Sequence, residues 1–533
     1  MTLGAYVWRL YLLRVRRFDS DEFEHLHGAW LISQGMLPYR DFFEHHTPWL
    51  HYFLAPSFAF FNVETNVEAA HGFLFFARMC MWLFAGAILA LTLRLGRLWR
   101  DVRVGCVAAL FLGNTLMFLE KTLEVRPDLL SVMFWLACLA LVTNGIRDEQ
   151  PDKNTHWRFA WSGAFLGAAV MCTQKMLFAF PGFSLAMLWY LFDPRSRGRY
   201  GQRLWNVVYL VIGFCVPILL TLGYFALRGG LDEFIEYNFL LNARWKLRFS
   251  PADYLVQLVK QNPILVALAL VGFFRAFFGM FGRQRFRRGE FVFALNALGL
   301  FLGLFIVPVP YRQYYLMFLP LGATFAAGLV VDVIDGLSAA LRGHRPKNAL
   351  AHLYLFAGSG AFILLLALAL KEAHPRVLND LFYPEMWGVA LLLTVILLFF
   401  RRKNVAIALL LIALSVYPFK QMRDAANRTN AVVLNEIRYV LENTSPSETC
   451  MDGWTGRGVF RPHAWFYWFL HPEVRAMLSD GTKDELFAGL VSGSVAPKLL
   501  FLDGNLRELS EDTTRFFEEH YEPAEMGDIW RRK

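Results

Sequence analysis

A short polar segment near the N-terminus holds the densest group of chemically active side chains in the sequence. Its carboxylates and imidazoles include Asp21, Glu22, Asp41, Glu44, His45 and His46. A carboxylate in a partly apolar cleft is a suitable general base, because burial raises its pKa toward the working range. The segment therefore predicts an acidic catalytic site. The alternative is a solvated loop followed by a helix that begins near Asp21.

The same segment offers ligands for a metal ion, since His25, His27, His45 and His46 stand among the acids. Imidazole and carboxylate groups are common ligands of Zn²⁺. However, their spacing matches no recognised ligand pattern. We therefore expect neither a divalent metal nor another cofactor, and we retain His45 and His46 as the ligand candidates.

Further charged groups flank apolar runs later in the chain. Asp128 directly precedes such a run, where a carboxylate either caps a helix or serves a polar site. Lys175, Arg312, Arg126 and Tyr311 occupy similar boundary positions. Cations at a membrane surface suit a lipid-linked phosphate. Contact with lipid headgroups, and an aromatic belt for the tyrosines, are the alternatives.

The elements that must position these groups are strongly apolar. The chain of 533 residues is 56% hydrophobic and contains 51 Phe, a composition that would leave large apolar patches exposed on a soluble protein. A helix of about 17 to 25 apolar residues spans a bilayer. We predict spans at 71–93, 104–119, 129–146, 159–174, 176–192, 207–227, 262–280, 291–308, 313–333, 350–370, 386–400 and 404–419.

The distribution of charge predicts the orientation of these spans. The net charge of +9 comes from short Arg and Lys clusters in alternate loops, which is the positive-inside pattern of a cytoplasmic-membrane protein rather than a nucleic-acid signal. The pattern places the remaining loops outside, namely the segment before 71 and residues 120–128, 174–176, 228–261, 309–312 and 371–385, with everything after 420. An external N-terminal segment needs an earlier crossing by the short run 2–13, so about 12–13 helices are expected. Residues 51–63, broken by Pro56, indicate a helix in the interface.

After residue 420 the sequence becomes mixed and charged. A helical pattern at 430–442, a strand-like run at 498–504 and a helical run near the end predict a small α/β domain. We expect two parts, a transmembrane catalytic domain at 1–419 with its catalytic loop at about 18–70, and an extracytoplasmic domain at 420–533.

These residues resemble the GT-C superfamily of membrane glycosyltransferases, in particular the aminoarabinose transferases and protein O-mannosyltransferases of glycosyltransferase families 39 and 83. The motif of the first loop reads Asp21-Glu22, Gly35, Pro38 and then Thr47 to Tyr52. Asp128, Lys175 and the stretch 311–320 also match positions that the resemblance predicts. The tryptophan-rich signature of oligosaccharyltransferases is missing, and the His-rich stretch 44–46 departs from the aminoarabinose transferases.

The resemblance implies a mainly α, polytopic GT-C fold and an inverting transfer of a sugar from a polyprenyl-phosphate donor. The acceptor would be a lipid or glycan at the outer face of the cytoplasmic membrane. Asp21 would act as the general base, with Asp128, Asp41 or Glu44 stabilising positive charge, and Lys175 and Arg312 would balance the phosphate. A transporter or flippase of lipid-linked sugars is the alternative, and it predicts charged groups deep within the spans and repeated halves.

Overall fold

The computed structural model describes residues 2–147, 154–193, 199–245, 248–281, 289–341 and 429–533. These residues are mainly helical. The predicted spans at 350–370, 386–400 and 404–419, and the predicted domain boundary at 419/420, lie outside the described residues.

The α-helices are numbered in chain order: α1 (Thr2–Val15), α2 (Ser20–Ser33), α3 (Trp49–Leu54), α4 (Val67–Trp99), α5 (Val102–Gly113), α6 (Leu116–Lys121), α7 (Pro127–Arg147), α8 (Thr155–Cys172), α9 (Phe180–Phe192), α10 (Tyr200–Leu227), α11 (Leu231–Ile235), α12 (Leu241–Ala243), α13 (Pro251–Gln261), α14 (Pro263–Gly279), α15 (Glu290–Gly303), α16 (Leu319–Leu341), α17 (Ala431–Asn443), α18 (Pro472–Arg475), α19 (Asp480–Ser492), α20 (Gly504–Arg507) and α21 (Glu511–His520). Short 3₁₀ helices cover Ala55–Phe60, Gln174–Ala179 and Arg312–Met317, and a π-helical turn covers Glu236–Leu240.

Four helical segments of the described chain are long and apolar enough to cross a membrane: α4, α7, Gln174–Phe192 and α10. Shorter apolar helices include α5 and α15. These helices overlap the predicted spans and belong to a membrane protein. Helix α1 has only 14 residues, or about 21 Å, which is shorter than a bilayer core of about 30 Å.

Glycines allow α8 and α10 to pack closely. A Cβ atom on Gly163 would lie 1.8 Å from the carbonyl oxygen of Leu210, and one on Gly213 would lie 1.9 Å from the carbonyl oxygen of Ala160. Small residues of this kind let helix backbones approach each other where no hydrophobic effect drives association. Substitution at either glycine would separate the two helices.

The predicted span at 104–119 is divided into two helices. Helix α5 ends at Gly113 and α6 begins at Leu116. At the break, the Asn114 side chain donates to the carbonyl of Leu110, and the Thr115 hydroxyl donates to that of Phe111. Such side-chain bonds compete with continuation of a helix. After the break, residues 116–126 lie next to the first polar segment, where Arg126 contacts Asp21.

The predicted interface helix at 51–63 is also two elements, because α3 continues into a 3₁₀ helix at Pro56. Proline lacks the N–H that an α-helix interior requires, so it favours such a change. Phe60 on the 3₁₀ helix is 84% exposed, which fits the expected position at a membrane interface.

The C-terminal region, residues 429–533, contains a four-stranded sheet. The strands are β1 (Cys450–Asp452), β2 (Leu499–Phe501), β3 (Tyr521–Pro523) and β4 (Ile529–Arg532), in the spatial order β1-β2-β4-β3. Strands β1 and β2 are parallel, whereas β4 pairs antiparallel with β2 and β3. The predicted helix at 430–442, strand at 498–504 and late helix correspond to α17, β2 and α21.

Candidate active site

Helix α2 carries the first group of site residues, and its sequence fixes where it begins. The Asp19 side chain accepts a hydrogen bond from the backbone N–H of Asp21, while Glu22 Oε1 accepts from the N–H of Asp19 in a capping box. The helix therefore starts at Ser20 and presents Asp21, Glu24 and His25 to one cavity.

This cavity has a volume of about 560 Å³ and lies where several helices begin or end. Helix α2, the loops around α6 and α7, the turn after α8, the segment 238–245 and the turn before α16 line it. The C-terminal region adds three side chains, Trp454, His471 and Glu473. Of the sequence-predicted residues, the cavity brings together Asp21, Arg126, Asp128, Lys175, Tyr311, Arg312, His45 and His46.

Asp21 is held by a cation and an indole. Arg126 Nη2 donates to its Oδ2 at 2.6 Å, and Trp454 Nε1 donates to its Oδ1 at 3.3 Å. Burial raises the pKa of Asp21, but the positive charges of Arg126 and Lys121 outweigh it, so the pKa lies below its usual value. Asp21 is therefore ionised at neutral pH, and the expectation that burial raises the pKa of the catalytic base is wrong for this residue.

A second carboxylate keeps Arg126 in place. Glu124 Oε2 accepts from Arg126 Nε at 2.5 Å and from Lys121 Nζ at 2.8 Å, while its Oε1 accepts from Arg16 at 2.6 Å. Positive and negative charges thus alternate along this wall. Because each buried charge has an opposite neighbour, the wall is electrostatically compensated.

Asp128 and Lys175 face each other across another part of the cavity. Their Oδ1 and Nζ atoms are 3.4 Å apart, and Nζ lies 4.9 Å from the ring centroid of Tyr314. The second oxygen of Asp128, Oδ2, is buried without a hydrogen-bond partner in the described part of the chain. Buried polar atoms are normally satisfied, so this atom is available to a bound group.

Tyr311 and Arg312 come from the turn before α16. The Tyr311 hydroxyl donates to Glu473 of the C-terminal region, and Arg312 Nη1 lies 3.4 Å from Glu120 Oε2. The guanidinium of Arg312 remains one-third exposed, with 35% of its side chain accessible. It can therefore reach an anion in the cavity.

Three predicted catalytic residues lie outside the cavity lining. Glu22 forms a fully buried double ion pair with Arg78, at 2.8 and 2.6 Å, and stabilises the loop. Asp41 closes a turn, where it accepts from the N–H of Leu37 and pairs with the exposed Arg40. Glu44 is buried directly behind the cavity wall.

The sequence did not identify the contribution of the C-terminal region. Trp454 contacts Asp21, and His471 Nδ1 lies 2.7 Å from Glu473 Oε2. The signal in the sequence is the frequency of Pro, Gly and Trp in this region, notably in the stretches 453–456 and 461–468. Neither spacing nor periodicity connects that stretch with Asp21, 433 residues earlier.

Glu24, which the sequence reasoning did not single out, joins Glu44, His45 and His46 in one buried cluster. One potential ligand atom from each of the four lies within 4.8 Å of the others. Burial and the nearby negative charge of Glu44 hold the pKa of Glu24 well above its usual value. This cluster holds two carboxylates and two imidazoles, whereas Asp21 and Glu124 are paired with Arg126.

The fold of this chain is similar to that of several solved structures. ArnT from Cupriavidus metallidurans bound to undecaprenyl phosphate superposes with a TM-score of 0.58 at 13% identity, over 93% of this chain and 88% of that one. The archaeal oligosaccharyltransferase AglB from Archaeoglobus fulgidus, in complex with an inhibitory peptide and a dolichol-phosphate, gives 0.55 at 12% identity, over 98% and 72%. Both are GT-C glycosyltransferases.

The chain has the GT-C fold. The resemblance predicted from the first loop is thus confirmed at the level of the fold. No family model matches the sequence, and the search of curated proteins found no match.

Proposed function

We propose that the chain is an inverting glycosyltransferase of the cytoplasmic membrane, which moves a sugar from a polyprenyl-phosphate donor to a lipid or glycan acceptor at the outer face. The observation that carries this proposal is the cavity in which the ionised Asp21 shares one space with Lys175 and Arg312. The GT-C structures hold undecaprenyl phosphate or dolichol-phosphate, which supports a lipid-linked donor.

Lys175 and Arg312 are suited to bind the donor phosphate. Charge-assisted hydrogen bonds from cations to phosphate are short and strong, and both side chains line the cavity. Arg126 is less suited to this role, because its Nη2 and Nε atoms already donate to Asp21 and Glu124. Tyr311 is likewise engaged with Glu473, so it positions the cavity wall.

Asp21 is suited to accept the proton of the acceptor hydroxyl. As the acceptor oxygen bonds to the anomeric carbon, the bond from that carbon to the phosphate oxygen breaks, and polyprenyl phosphate leaves with the electron pair. The hydroxyl proton passes to Asp21 and then to solvent. Asp128, whose Oδ2 lacks a partner among the described residues, can stabilise the positive charge that develops on the sugar.

The location of the charges favours an enzyme over a transporter. The charged cavity residues come from the ends of helices, as Asp128 begins α7, Lys175 follows α8 and Arg312 precedes α16. A transporter would place its binding groups near the middle of the membrane. The gathering of charges at one end of the described helices fits a reaction at one membrane face.

The test compares the surface glycans and lipids of cells that lack the gene with those of complemented cells by mass spectrometry. We expect the deletion to remove one sugar unit, wild-type protein to restore it, and Asp21→Asn to fail because transfer falls by about 10²- to 10⁴-fold. Asp232→Asn, an exposed aspartate outside the cavity lining, is the matched control and should restore the sugar. Immunoblots confirm equal amounts of protein. Full restoration by Asp21→Asn, or an unchanged glycome in the deletion, would overturn the proposal.

A further inference from the structure

We propose that Glu24, Glu44, His45 and His46 form a binding site for one divalent metal ion of the zinc class at the wall of the cavity. The inference concerns binding alone, so it can be tested without sugar transfer. It revises the expectation from sequence, in which the histidines and acids of this segment match no recognised ligand spacing.

The separations between the ligand atoms fit a tetrahedral site. Glu24 Oε1 lies 3.6 Å from His45 Nδ1 and 3.7 Å from His46 Nδ1, and Glu44 Oε1 lies 3.9 and 3.0 Å from the same two atoms. Ligands about 2.0 to 2.1 Å from Zn²⁺ in a tetrahedron are roughly 3.3 Å apart. Small side-chain movements would therefore place one ion at bonding distance from all four atoms.

The carboxylates of the cluster have no Arg or Lys ion-pair partner among the described residues. Glu24 and Glu44 are 5% and 1% exposed, and within the described ranges their salt-bridge partners are histidines only. Buried carboxylates are usually paired with a cation or coordinate a metal ion. A divalent ion would supply that charge at the centre of the cluster.

An unsatisfied atom points to the same place. The Nδ1 atom of His45 is buried and lacks a hydrogen-bond partner among the residues that the structure describes, and its ring is 7% exposed. Its nearest carboxylate, Glu24 Oε1 at 3.6 Å, is beyond hydrogen-bond length. A metal ion between the two would satisfy both atoms.

The backbone around the cluster is already fixed. Glu44 Oε1 accepts from the backbone N–H groups of His45 and His46 at 2.8 and 2.9 Å. The carbonyl of His45 accepts in turn from Gln174 at 2.7 Å and Asn242 at 3.1 Å. Contacts of this kind orient metal ligands and strengthen binding. Little reorganisation is needed for an ion to enter.

The ligand set selects the class of metal. Two imidazole nitrogens and two carboxylate oxygens in a tetrahedral arrangement suit Zn²⁺, with Co²⁺ as its spectroscopic substitute. Mg²⁺ and Ca²⁺ require six or more oxygen ligands, which this cluster does not offer. Since Glu24, His45 and His46 also line the cavity, a bound ion would be accessible from it.

The experiment measures metal content in the full chain, purified without a histidine tag and reconstituted in lipid nanodiscs. We expect about one Zn²⁺ per chain by elemental analysis, and visible absorption of tetrahedral Co²⁺ after chelation and reloading. Glu24→Gln and His45→Ala should each weaken binding about tenfold or more. Glu473→Gln removes a cavity carboxylate outside the cluster and should retain the full metal content.

A second measurement uses wild-type protein alone and does not depend on the folding of a variant. Zn²⁺ should raise the thermal unfolding midpoint of the wild-type protein relative to chelator-treated protein. Wild-type protein that holds no more metal than Glu24→Gln, or an unchanged midpoint, would overturn the site. If wild-type protein carries its full metal content but transfers no sugar, that result would count against the proposed function alone.

Discussion

The first polar segment is held on two flanks by different physical means. On the flank toward the helices, Arg78 binds Glu22 and also donates to the backbone carbonyls of Leu13 and Arg16. Arg126 binds Asp21 on the same flank. The contacts between side chains on this flank are ion pairs.

On the flank toward the C-terminal region, the contacts of His27 and Phe43 join neutral groups. His27 Nε2 and His463 Nδ1 share a hydrogen bond at 2.9 Å, and the other ring nitrogen of His27 lies 2.9 Å from the carbonyl of Val459. Trp468 Nε1 donates to the carbonyl of Phe43. Gly456 permits the close approach, since a Cβ there would lie 2.3 Å from that of Phe23, and its φ of 72° favours glycine.

The difference shows which flank can be released. The charged flank fixes the segment to the membrane helices, whereas the neutral flank depends on imidazoles that must stay unprotonated. The C-terminal region, which supplies Trp454, His471 and Glu473 to the cavity, therefore includes one contact with the first polar segment, between His463 and His27, that is sensitive to pH.

The largest expected effect comes from breaking the charged flank. Arg78→Ala leaves Glu22 buried without its cation, and removing one partner of such a pair costs about 3 to 5 kcal/mol. We expect a large fall in the thermal unfolding midpoint of the purified protein. Arg438→Ala removes an exposed pair with Glu68 and should cost at most about 1 kcal/mol. Equal effects of the two changes would contradict the comparison.

Acid should break the neutral flank. Burial lowers the pKa of His27 to about 4 and also lowers that of His463. Because the folded pKa is below the unfolded value of about 6.5, the stabilisation is complete above pH 6.5 and is lost as the pH falls through about 4. Limited proteolysis between pH 7 and pH 4 should show release of residues 429–533. His463→Gln should reduce this dependence on pH, and an identical profile in the variant would contradict the interpretation.

The smallest expected effect concerns the hydrogen bond that the C-terminal region donates to Asp21. Trp454→Phe keeps the ring but removes the N–H that donates to Asp21. A hydrogen bond to a charged group contributes about 1.5 to 3 kcal/mol, so we expect sugar transfer to fall about tenfold with little change in folding. Trp530→Phe on β4 is the control. Unchanged transfer in Trp454→Phe would remove this residue from the site.

Much of the helical fold was predictable from the sequence, because long apolar runs leave few alternatives to spanning helices. The division of 104–119 was not, since Asn114 and Thr115 act through local hydrogen bonds that hydropathy ignores. The twelve or so spans remain a prediction, as part of them lies outside the described residues.

The candidate site was predictable where a charged side chain stands at the end of a helix or apolar run, as for Asp21, Asp128 and Lys175. Glu22 shows the limit of that reasoning, because its neighbour Asp21 faces the cavity while Glu22 faces Arg78. Adjacent residues on a helix point in different directions. Glu24 and His471 escaped notice because their significance depends on partners in distant parts of the chain.

The separation of contacting residues along the chain also sets an order of assembly during synthesis. Glu22 and Arg78 are 56 residues apart, whereas His27 and His463 are 436 residues apart. At about 5 to 20 residues per second, a ribosome needs roughly 20 to 90 s to cover the longer distance. A nascent chain therefore carries Asp21 and Lys175 well before Trp454 and His471 exist. Under the proposed function, the donor cavity is therefore complete only after the last part of the chain has been synthesised.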